Sequence, residues 1–273
     1  MPELPEVETV VKGLKPQIGG KVLLSDMNSG KNLRYPLPNF AACHGATLKN
    51  IERRAKYLLF HFDNGQTLIW HLGMTGQFHV LSGAEPAAKH EHVCLGFSDG
   101  CTLRYRDTRR FGYAGLCQTS DLETHKWFKD LGIEPLTTDF DGQYLKGKLS
   151  SRKTSIKQGI MDNHVVVGVG NIYVSESLFR AKINPQQTAN SINTRKLNTL
   201  AKHIQDVLNE AIIAGGSTIS DFVKADGKPG YFAHSFKVYG RVGEPCLTCD
   251  KPIQKIVLGG RASFFCPKCQ IIK

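Results

Sequence analysis

The sequence has no apolar run close to the roughly 20 residues that a membrane-spanning helix needs, and it has no internal repeat and no low-complexity tract. Its start, Met1-Pro2-Glu3, lacks the basic and then apolar character of a secretory signal. These absences exclude membrane, fibrous and disordered classes and favour a soluble cytosolic or nucleoid-type protein. Hydrophobic residues make up 41% of the 273 residues, which suffices for a substantial core and for two domains.

Acidic residues are scarce relative to basic ones. The chain has 35 Lys and Arg against 24 Asp and Glu, a net charge of +11. The excess is uneven, because residues 1–150 hold 18 basic and 16 acidic side chains (net +2), whereas residues 151–273 hold 17 and 8 (net +9). A basic half beside an almost neutral one suggests a polyanionic partner, most often nucleic acid.

The eight cysteines fall into two groups. Four are scattered among apolar neighbours, as expected of reduced core thiols: Cys43, Cys94, Cys101 and Cys117. The other four form a C-x2-C-x16-C-x2-C pattern: Cys246, Cys249, Cys266 and Cys269. This spacing is typical of a tetrathiolate zinc site. Disulfide bonds are the alternative, and the lack of a secretory signal argues against them.

The first half of the sequence predicts one helix followed by strands. Val7, Val10, Val11 and Leu14 recur at helical spacing, and Pro5 suits a first helical turn. From about residue 20 onward, short β-type runs separated by Gly, Pro and Asn cover 57–62, 67–72, 92–97, 102–106 and 112–117. This pattern predicts an antiparallel sandwich or barrel that carries one helix.

The second half predicts a helical region. Residues 132–138 contain Gly, Pro and Thr and predict a linker, after which helical periodicity covers 143–149, 155–162, 171–181 and 194–214. The glycine-rich turn 167–171 offers backbone N–H groups to an anion, although a tight corner between two helices is the alternative. Residues 217–235 are polar and predict a mobile surface loop.

Pro2 offers a distinct chemistry once Met1 is removed. A small second residue generally permits that removal, and the free α-amine then titrates near pH 7.7–8.0, far below lysine. Such an amine can attack an aldehyde or anomeric carbon and form an iminium. Glu3 beside it can transfer protons. A Met-Pro start without any catalytic role is the alternative at this point.

The segment Pro2-Glu3-Leu4-Pro5-Glu6-Val7-Glu8-Thr9 resembles the N-terminus of the formamidopyrimidine-DNA glycosylases, which are bacterial base-excision repair enzymes. Further blocks resemble that family in the same order and cover essentially the whole chain: RRAKYL at 53–58, HLGM at 71–74, KHEHV at 89–93, DTRRFG at 107–112, MDN at 161–163, GVGNIY at 168–173, DGKPGYF at 226–232 and the cysteine module. One departure is Glu91, where the family pattern predicts Asp.

The resemblance implies catalytic roles for four residues. Pro2 would displace the damaged base and hold the sugar as a Schiff base, with Glu3 as the neighbouring acid or base. Lys56 would assist the first strand-cleaving elimination. Arg261 would grip a phosphate and serve the second elimination. Without the resemblance, Lys56 would be taken as an ordinary strand-edge lysine and Arg261 as an exposed hairpin residue.

The resemblance also implies contacts with an extruded nucleotide and with the duplex that it leaves. The void-filling side chains would be Met74, Arg109 and Phe111, with core packing as the alternative for Met74 and Phe111. The other DNA contacts would be made by His71, His90, Asn171, Arg152 and Lys153, in addition to Arg109. Glu6 and residues 217–228 would face the flipped base.

The implied fold class is α+β, with an N-terminal antiparallel β-sandwich that carries a catalytic N-terminal helix and a C-terminal helix–two-turn–helix domain with a zinc-finger β-hairpin. We place the β-sandwich catalytic domain at residues 1–131 and a linker at 132–140. The helical domain, which includes the lesion-recognition loop, would span 141–236, and the four-cysteine zinc finger 237–271. One Zn²⁺ per chain and no organic cofactor are implied. The zinc would be structural, because four thiolates leave no open position for water.

The implied function is that of a bifunctional DNA glycosylase and abasic-site lyase. It would excise oxidised purines such as 8-oxoguanine and formamidopyrimidines from double-stranded DNA and then cleave by β,δ-elimination, as a monomer in the bacterial cytoplasm with no membrane partner. One alternative is an oxidised-pyrimidine enzyme of the endonuclease VIII type, a group that tends to have Gly in place of Leu4. The other is a non-catalytic damaged-DNA-binding protein, against which the intact Pro2, Glu3 and Lys56 argue.

Overall fold

The computed structural model describes residues 1–83, 85–217 and 235–272. These residues form two compact units. One contains Met1–Lys129 and the described part of Ala214–Tyr231, and the other contains Asp130–Ile213 and the described part of Phe232–Lys273. The loop predicted at residues 217–235 lies outside the described residues except for its two ends. None of the described helices has the length and apolarity needed to cross a membrane.

Helix α1 (Leu4–Ile18) opens the first unit, as the helical spacing predicted. Pro5 lies in its first turn, and the apolar side chains Val7, Val10 and Leu14 are buried. Pro2 and Glu3, which precede the helix, are buried as well. The N-terminus is therefore packed into this unit.

Two four-stranded antiparallel sheets follow α1. The first sheet has the order β1-β6-β7-β5 and consists of β1 (Leu23–Asn28), β6 (Glu91–Phe97), β7 (Cys101–Arg106) and β5 (Gln77–Ser82). The second has the order β2-β3-β4-β8 and consists of β2 (Leu48–Arg54), β3 (Tyr57–Phe62), β4 (Gln66–His71) and β8 (Tyr113–Gln118). Each neighbouring pair is antiparallel.

One hydrophobic core is shared by the two sheets and α1. Trp70 of the second sheet lies at its centre, with its ring centroid 5.1 Å from that of Phe78 and 4.8 Å from that of Tyr105, both in the first sheet. Leu14 of α1 is fully buried in the same cluster. The predicted antiparallel sandwich with one helix is therefore confirmed.

The chain crosses between the sheets at two neighbouring places. Residues 72–76 connect β4 to β5, and residues 107–112 connect β7 to β8. Because β4 pairs with β8 and β5 pairs with β7, the two connections lie side by side. Gly73 has a φ of 65°, and a Cβ atom there would lie 2.3 Å from the backbone nitrogen of Gly112. Glycine is required at this close approach.

The described part of the second unit contains four α-helices and a β-hairpin. The helices are α2 (Gly142–Leu149), α3 (Ile156–Met161), α4 (Asn171–Arg180) and α5 (Thr194–Ile213). Asp141 caps α2 by accepting the N–H of Tyr144 at 2.7 Å, and Ser155 caps α3. The hairpin consists of β9 (Gln254–Leu258) and β10 (Arg261–Phe265). These elements confirm the predicted helices and the predicted α+β class.

Glu176 of α4 fastens the segment that leads toward the hairpin. The side chain is buried, with 1% of the residue exposed. Its Oε2 atom accepts the N–H of Lys237 at 2.9 Å, and its Oε1 atom accepts those of Val238 at 3.0 Å and Tyr239 at 2.8 Å. One carboxylate thus accepts hydrogen bonds from three backbone N–H groups. Removing it would leave these buried donors unpaired, which lowers the free energy of unfolding.

We expect Glu176→Gln to destabilise this segment by about 1–3 kcal/mol, because the amide nitrogen would oppose a buried N–H donor. Hydrogen exchange at the amides of Lys237, Val238 and Tyr239 measures the loss. Glu210→Gln is the matched control, since the Glu210 side chain is 49% exposed and pairs with Arg180, and such a pair contributes at most about 1 kcal/mol. Equal effects of the two variants would contradict the assignment.

Candidate functional site

The start of α1 is built around two buried carboxylates. Glu3 is the N-cap residue and forms a capping box with Glu6, whose Oε2 atom accepts the N–H of Glu3 at 2.9 Å. Only 4% of Glu3 and 2% of Glu6 is exposed. The reciprocal bonds satisfy donors that the first helical turn would otherwise leave unpaired. They also fix the Glu3 backbone next to Pro2, the predicted nucleophile.

Glu6 has a second set of partners far away in the sequence. Its Oε1 atom accepts both the backbone N–H and the hydroxyl of Ser217, each at 2.8 Å. Ser217 is the first residue of the predicted lesion loop. It is also the last residue that the structure describes before residue 235. A Cβ atom on Gly216 would lie 3.3 Å from the Glu6 side chain, so the backbone approaches closely here. Glu6 therefore ties the start of that loop to the N-terminus of α1.

Lys56, the predicted lyase residue, lies in the tight turn between β2 and β3. Arg53 holds this turn, because its Nη1 atom donates to the carbonyl of Ala55 at 3.1 Å. The Nε atom of Arg53 donates to Glu8 of α1 at 2.9 Å. The same guanidinium thus connects the catalytic helix candidate with the turn that carries Lys56.

His71 ends β4, opposite Tyr57 in the β3–β4 register. Its Nδ1 atom accepts the N–H of Gly73 at 3.0 Å, and its ring stacks on Tyr113 at 4.8 Å. Burial of the imidazole, together with the charges of Lys56 and Arg34, lowers the pKa of His71 to about 3. The ring is therefore neutral at physiological pH, and its proton resides on Nε2, where it can be donated to a phosphate oxygen.

We expect the His71 ring to show no titration between pH 5 and pH 8 and to be the Nε2–H tautomer. ¹⁵N NMR of the imidazole measures both, and the His71→Gln variant assigns the signal. The unfolded imidazole binds its proton near pH 6.5. The contribution of His71 to folding stability is therefore complete above that pH and is lost as the pH falls toward about 3. A titration midpoint near pH 6.5 for His71 in the folded protein would contradict this prediction.

The three predicted void-filling residues come from the two connections between the sheets. Met74 lies in residues 72–76, and Arg109 and Phe111 lie in residues 107–112. Phe111 is 45% exposed, and the Arg109 guanidinium carbon lies 4.7 Å from the centroid of its ring. Core packing, the alternative for Phe111, is therefore wrong. Arg109 and Phe111 are thus in contact, and Met74 lies on the connection whose backbone, at Gly73, approaches theirs.

His90 lies in a loop that is held by a buried ion pair. Arg104 is 3% exposed and donates to Glu91 at 3.1 Å, while the same Glu91 oxygen accepts the N–H of Ala88 at 2.9 Å. Glutamate thus makes the inward contact at the position where the family pattern predicts Asp. Desolvation and then the nearby charges, with Lys89 first, lower the pKa of His90, which favours the neutral ring.

Asn171 is the first residue of α4, directly after the glycine-rich turn. Gly168 in that turn has a φ of 79°. The Oδ1 atom of Asn171 is buried and has no hydrogen-bond partner among the described residues. Of the two basic residues predicted to contact DNA in this unit, Lys153 is exposed, whereas Arg152 forms an ion pair with Asp162. The amide of Asn171 thus retains hydrogen-bonding capacity for a group outside the described chain.

Arg261 is exposed at the tip of the β9–β10 hairpin. The turn residues Gly259 and Gly260 have φ values of 54° and 72°, and two positive φ values are what a tight type I′ hairpin turn requires. Lys157 of α3 supports the hairpin, since its ammonium donates to the carbonyl of Ala262 at 2.8 Å and to the hydroxyl of Ser263 at 2.7 Å. Lys157 is 1% exposed and is a residue that the sequence did not single out.

The four cysteines of the C-x2-C pattern come together at the base of the hairpin. Their sulfur atoms all lie within 4.8 Å of one another. The Sγ atoms of Cys246 and Cys269 are 3.9 Å apart, and those of Cys249 and Cys266 are 3.4 Å apart. A tetrahedral shell with Zn–S bonds of about 2.3 Å requires S–S distances of about 3.8 Å. The cluster therefore fits one structural zinc ion, as predicted.

The other four cysteines are free thiols: Cys43, Cys94, Cys101 and Cys117.

We expect Cys266→Ser to lower the zinc content from one ion per chain to a small fraction, because a structural site needs its full set of thiolates. Native mass spectrometry measures the content. Cys117→Ser is the matched control and should keep the full zinc content. Full occupancy in Cys266→Ser would rule out the tetrathiolate site.

Each unit thus holds its own group of candidate residues. The first unit holds Pro2, Glu3, Glu6, Lys56, His71, Met74, His90, Arg109 and Phe111. The second unit holds Arg152, Lys153, Asn171, Arg261 and the four zinc cysteines. The supporting residues Arg53, Arg104 and Lys157 escaped the sequence analysis. They are charged side chains, each with a hydrogen-bond partner 13 or more residues away along the chain, and no short spacing reveals such pairs.

Comparison with known proteins matches all three parts of the chain to family models. Residues 1–114 match the formamidopyrimidine-DNA glycosylase N-terminal domain, and residues 131–223 match the H2TH domain of the same glycosylases. Residues 243–271 match a zinc finger found in FPG and IleRS.

Among curated proteins, the chain is similar to the formamidopyrimidine-DNA glycosylase of Legionella pneumophila strain Lens. The two are 46% identical over 274 residues, which cover 100% of this chain and 99% of the relative. Among solved structures, it is similar to Lactococcus lactis Fpg (MutM) in complex with DNA that contains N7-benzyl-Fapy-dG, with a TM-score of 0.90, 36% identity and coverage of 99% and 100% of the two chains. Another Lactococcus lactis complex, with DNA that contains an oxidised pyrimidine, matches with the same TM-score of 0.90, identity of 36% and coverage of 99% and 100%.

Proposed function

The chain belongs to the formamidopyrimidine-DNA glycosylase family, a family of bifunctional DNA glycosylases and abasic-site lyases, and from this premise we propose that it excises oxidised purines from double-stranded DNA. The observation that carries the proposal is the buried start of α1. Pro2 and Glu3 lie side by side at the N-terminus of a capped helix, where a free Pro2 amine has an acid or base group as its neighbour.

The first step makes and breaks bonds at one sugar carbon. After Met1 is removed, the lone pair of the Pro2 nitrogen forms a bond to C1′ of the damaged nucleotide, and the glycosidic bond breaks with its electrons going to the base. The Pro2 nitrogen loses its proton in this step, and the expelled base takes up a proton. Opening of the sugar ring then gives an iminium, and the ring oxygen takes a proton, for which Glu3 is the proposed donor. A secondary amine gives a cationic iminium, which acidifies the C2′ proton.

The iminium then drives strand cleavage. Loss of the C2′ proton expels the 3′ phosphate, and a second elimination expels the 5′ phosphate, which together make the proposed β,δ-elimination. Lys56 would serve the first elimination and Arg261 the second. A guanidinium is suited to a phosphate because it donates several hydrogen bonds from a planar fork.

Phosphate contacts would fix the duplex on both units. In the first unit, His71 would donate a hydrogen bond from Nε2, and His90 would be a second contact. In the second unit, Asn171, Arg152 and Lys153 would contribute, together with the amides of the glycine-rich turn. A helix N-terminus of this kind favours phosphate through its unpaired N–H groups. Met74, Arg109 and Phe111 would fill the space of the extruded base, and Glu6 with residues 217–228 would face that base.

Oxidised purines are the proposed lesions because the family is named for its action on formamidopyrimidines, and because Met74, Arg109 and Phe111 are all present. A similar Lactococcus lactis enzyme has been solved both with a ring-opened guanine and with an oxidised pyrimidine in its DNA. The oxidised-pyrimidine activity is therefore the second candidate. Residues 1–131, 141–236 and 237–271 are proposed as the functional domains, acting as a monomer on DNA in the cytoplasm.

We expect borohydride to trap a covalent adduct at Pro2 on a duplex with one 8-oxoguanine opposite cytosine, since the reductant converts the iminium to a stable amine. Mass mapping of the cross-linked peptide identifies the residue. The matched control is the same chain with an uncleaved N-terminal extension, in which the Pro2 nitrogen is an amide and cannot react. A parallel duplex with thymine glycol compares the two lesion classes.

Three outcomes of this experiment are decisive. An adduct at Pro2 that is absent from the extended chain supports the nucleophile and the lesion class together. A stronger adduct with thymine glycol than with 8-oxoguanine would favour the pyrimidine activity. No adduct from zinc-loaded chain with Met1 verified absent would leave a non-catalytic DNA-binding protein as the function.

A further inference from the structure

We propose that the buried Asp107 carboxylate, acting through Thr75, locks the two connections between the sheets into one preformed wedge. The two connections, residues 72–76 and 107–112, are called the loop pair below. The inference rests on the proposed function, in which Met74, Arg109 and Phe111 fill the space of the extruded base. Asp107 and Thr75 are then positioning residues, because they act through the side chains that enter the duplex.

Asp107 is fully buried and accepts hydrogen bonds from four directions. Its Oδ1 atom accepts the hydroxyl of Thr75 and the N–H of Arg109, the latter at 3.2 Å. Its Oδ2 atom accepts the N–H of Gly112 at 2.7 Å and the hydroxyl of Tyr105 at 3.3 Å. One carboxylate therefore binds both ends of residues 107–112 and also reaches the other connection. A buried carboxylate with several donors is a rigid point of attachment.

Thr75 completes the connection between the loops. Its hydroxyl donates to Asp107 and at the same time accepts the N–H of Arg109 at 3.1 Å. The backbone of Arg109 is thus shared between Asp107 and Thr75. Met74 directly precedes Thr75 in the chain, so the same hydroxyl positions residues from both connections.

The backbones of the loop pair pack closely against each other and against Tyr105. The Tyr105 hydroxyl lies between the two loops, because a Cβ atom on Gly76 would lie 2.2 Å from it and one on Gly112 would lie 1.7 Å from it. Tyr105 itself is fully buried. A change in one loop therefore meets either this hydroxyl or the backbone of the other loop.

The buried base of the loop pair supports exposed side chains. Asp107 is 0% exposed, whereas Phe111 is 45% exposed and carries the Arg109 guanidinium over its ring. Rotamers that are already ordered cost less free energy to insert than side chains that must be ordered during binding. A wedge that is set before contact with DNA would enter a base step with both loops together.

The test compares Thr75→Val, which keeps the shape of the side chain but removes the hydroxyl, with Thr75→Ser, which keeps the hydroxyl. A 2-aminopurine next to the lesion becomes fluorescent when a wedge unstacks it. We expect Thr75→Val to slow this unstacking by about tenfold, the effect of losing about one well-placed hydrogen bond. Thr75→Ser should restore most of the rate, and Asp63→Asn, which removes an exposed carboxylate that accepts the N–H of Thr47, should retain the full rate.

A second measurement detects the coupling between the loops. The effects of Met74→Ala and Phe111→Ala on the unstacking rate should be non-additive in the wild-type background, because the two side chains act as one unit. They should become additive in the Thr75→Val background. If Thr75→Val does not fold, Tyr105→Phe offers the same comparison, since it removes another donor to Asp107.

The outcomes separate this inference from the proposed function. If Met74→Ala, Arg109→Ala and Phe111→Ala all leave the unstacking unchanged, the void-filling assignment itself fails. If those variants slow the unstacking but Thr75→Val and Tyr105→Phe behave like the wild type, the assignment stands and the lock by Asp107 is wrong. A Thr75→Ser variant as slow as Thr75→Val would also overturn it, because the hydroxyl would then be irrelevant.

Discussion

The carboxylate of Glu6 joins two parts of the first unit that are 211 residues apart in sequence. One oxygen accepts the N–H of Glu3 and the other accepts two donors of Ser217. A buried carboxylate with all of these donors is strongly favoured in one geometry. The position of Glu3, next to the proposed nucleophile Pro2, and the start of the proposed lesion loop are therefore held by the same side chain.

The sandwich supplies the rest of the first group through its strand order. Because β4 and β7 each end where the chain changes sheets, His71 lies at the start of one connection and Asp107 at the start of the other. The same crossing places Lys56 nearby, since the β2–β3 turn precedes Tyr57, which pairs with His71. The residues proposed for phosphate contacts and those proposed for the wedge are thus neighbours as a consequence of topology.

The sequence predicted the helices, the central strands and the edge strand β8, and it missed the three other edge strands. β1, β2 and β5 were not singled out, and each is an edge strand in its sheet. Edge strands are partly solvated, so charged and polar residues interrupt their alternation, as in the segment LKNIERR of β2. The zinc cysteines came from their spacing and the chemistry of Pro2 and Glu3 from the residues themselves, whereas the other candidate residues came from the family resemblance. The hydrogen bonds that hold them, such as Arg53 to Glu8 and Thr75 to Asp107, are long-range and leave no pattern in the sequence.

The neutral state of His71 has a consequence for how the protein would respond to ionic strength. Affinity for DNA falls with added salt in proportion to the number of cationic groups that displace counterions from phosphates. A neutral imidazole donates a hydrogen bond to a phosphate but displaces no counterion. Lys56 and the arginines would therefore contribute to the salt dependence of DNA affinity, whereas His71 would not. The number of phosphate contacts would then exceed the number of ions released.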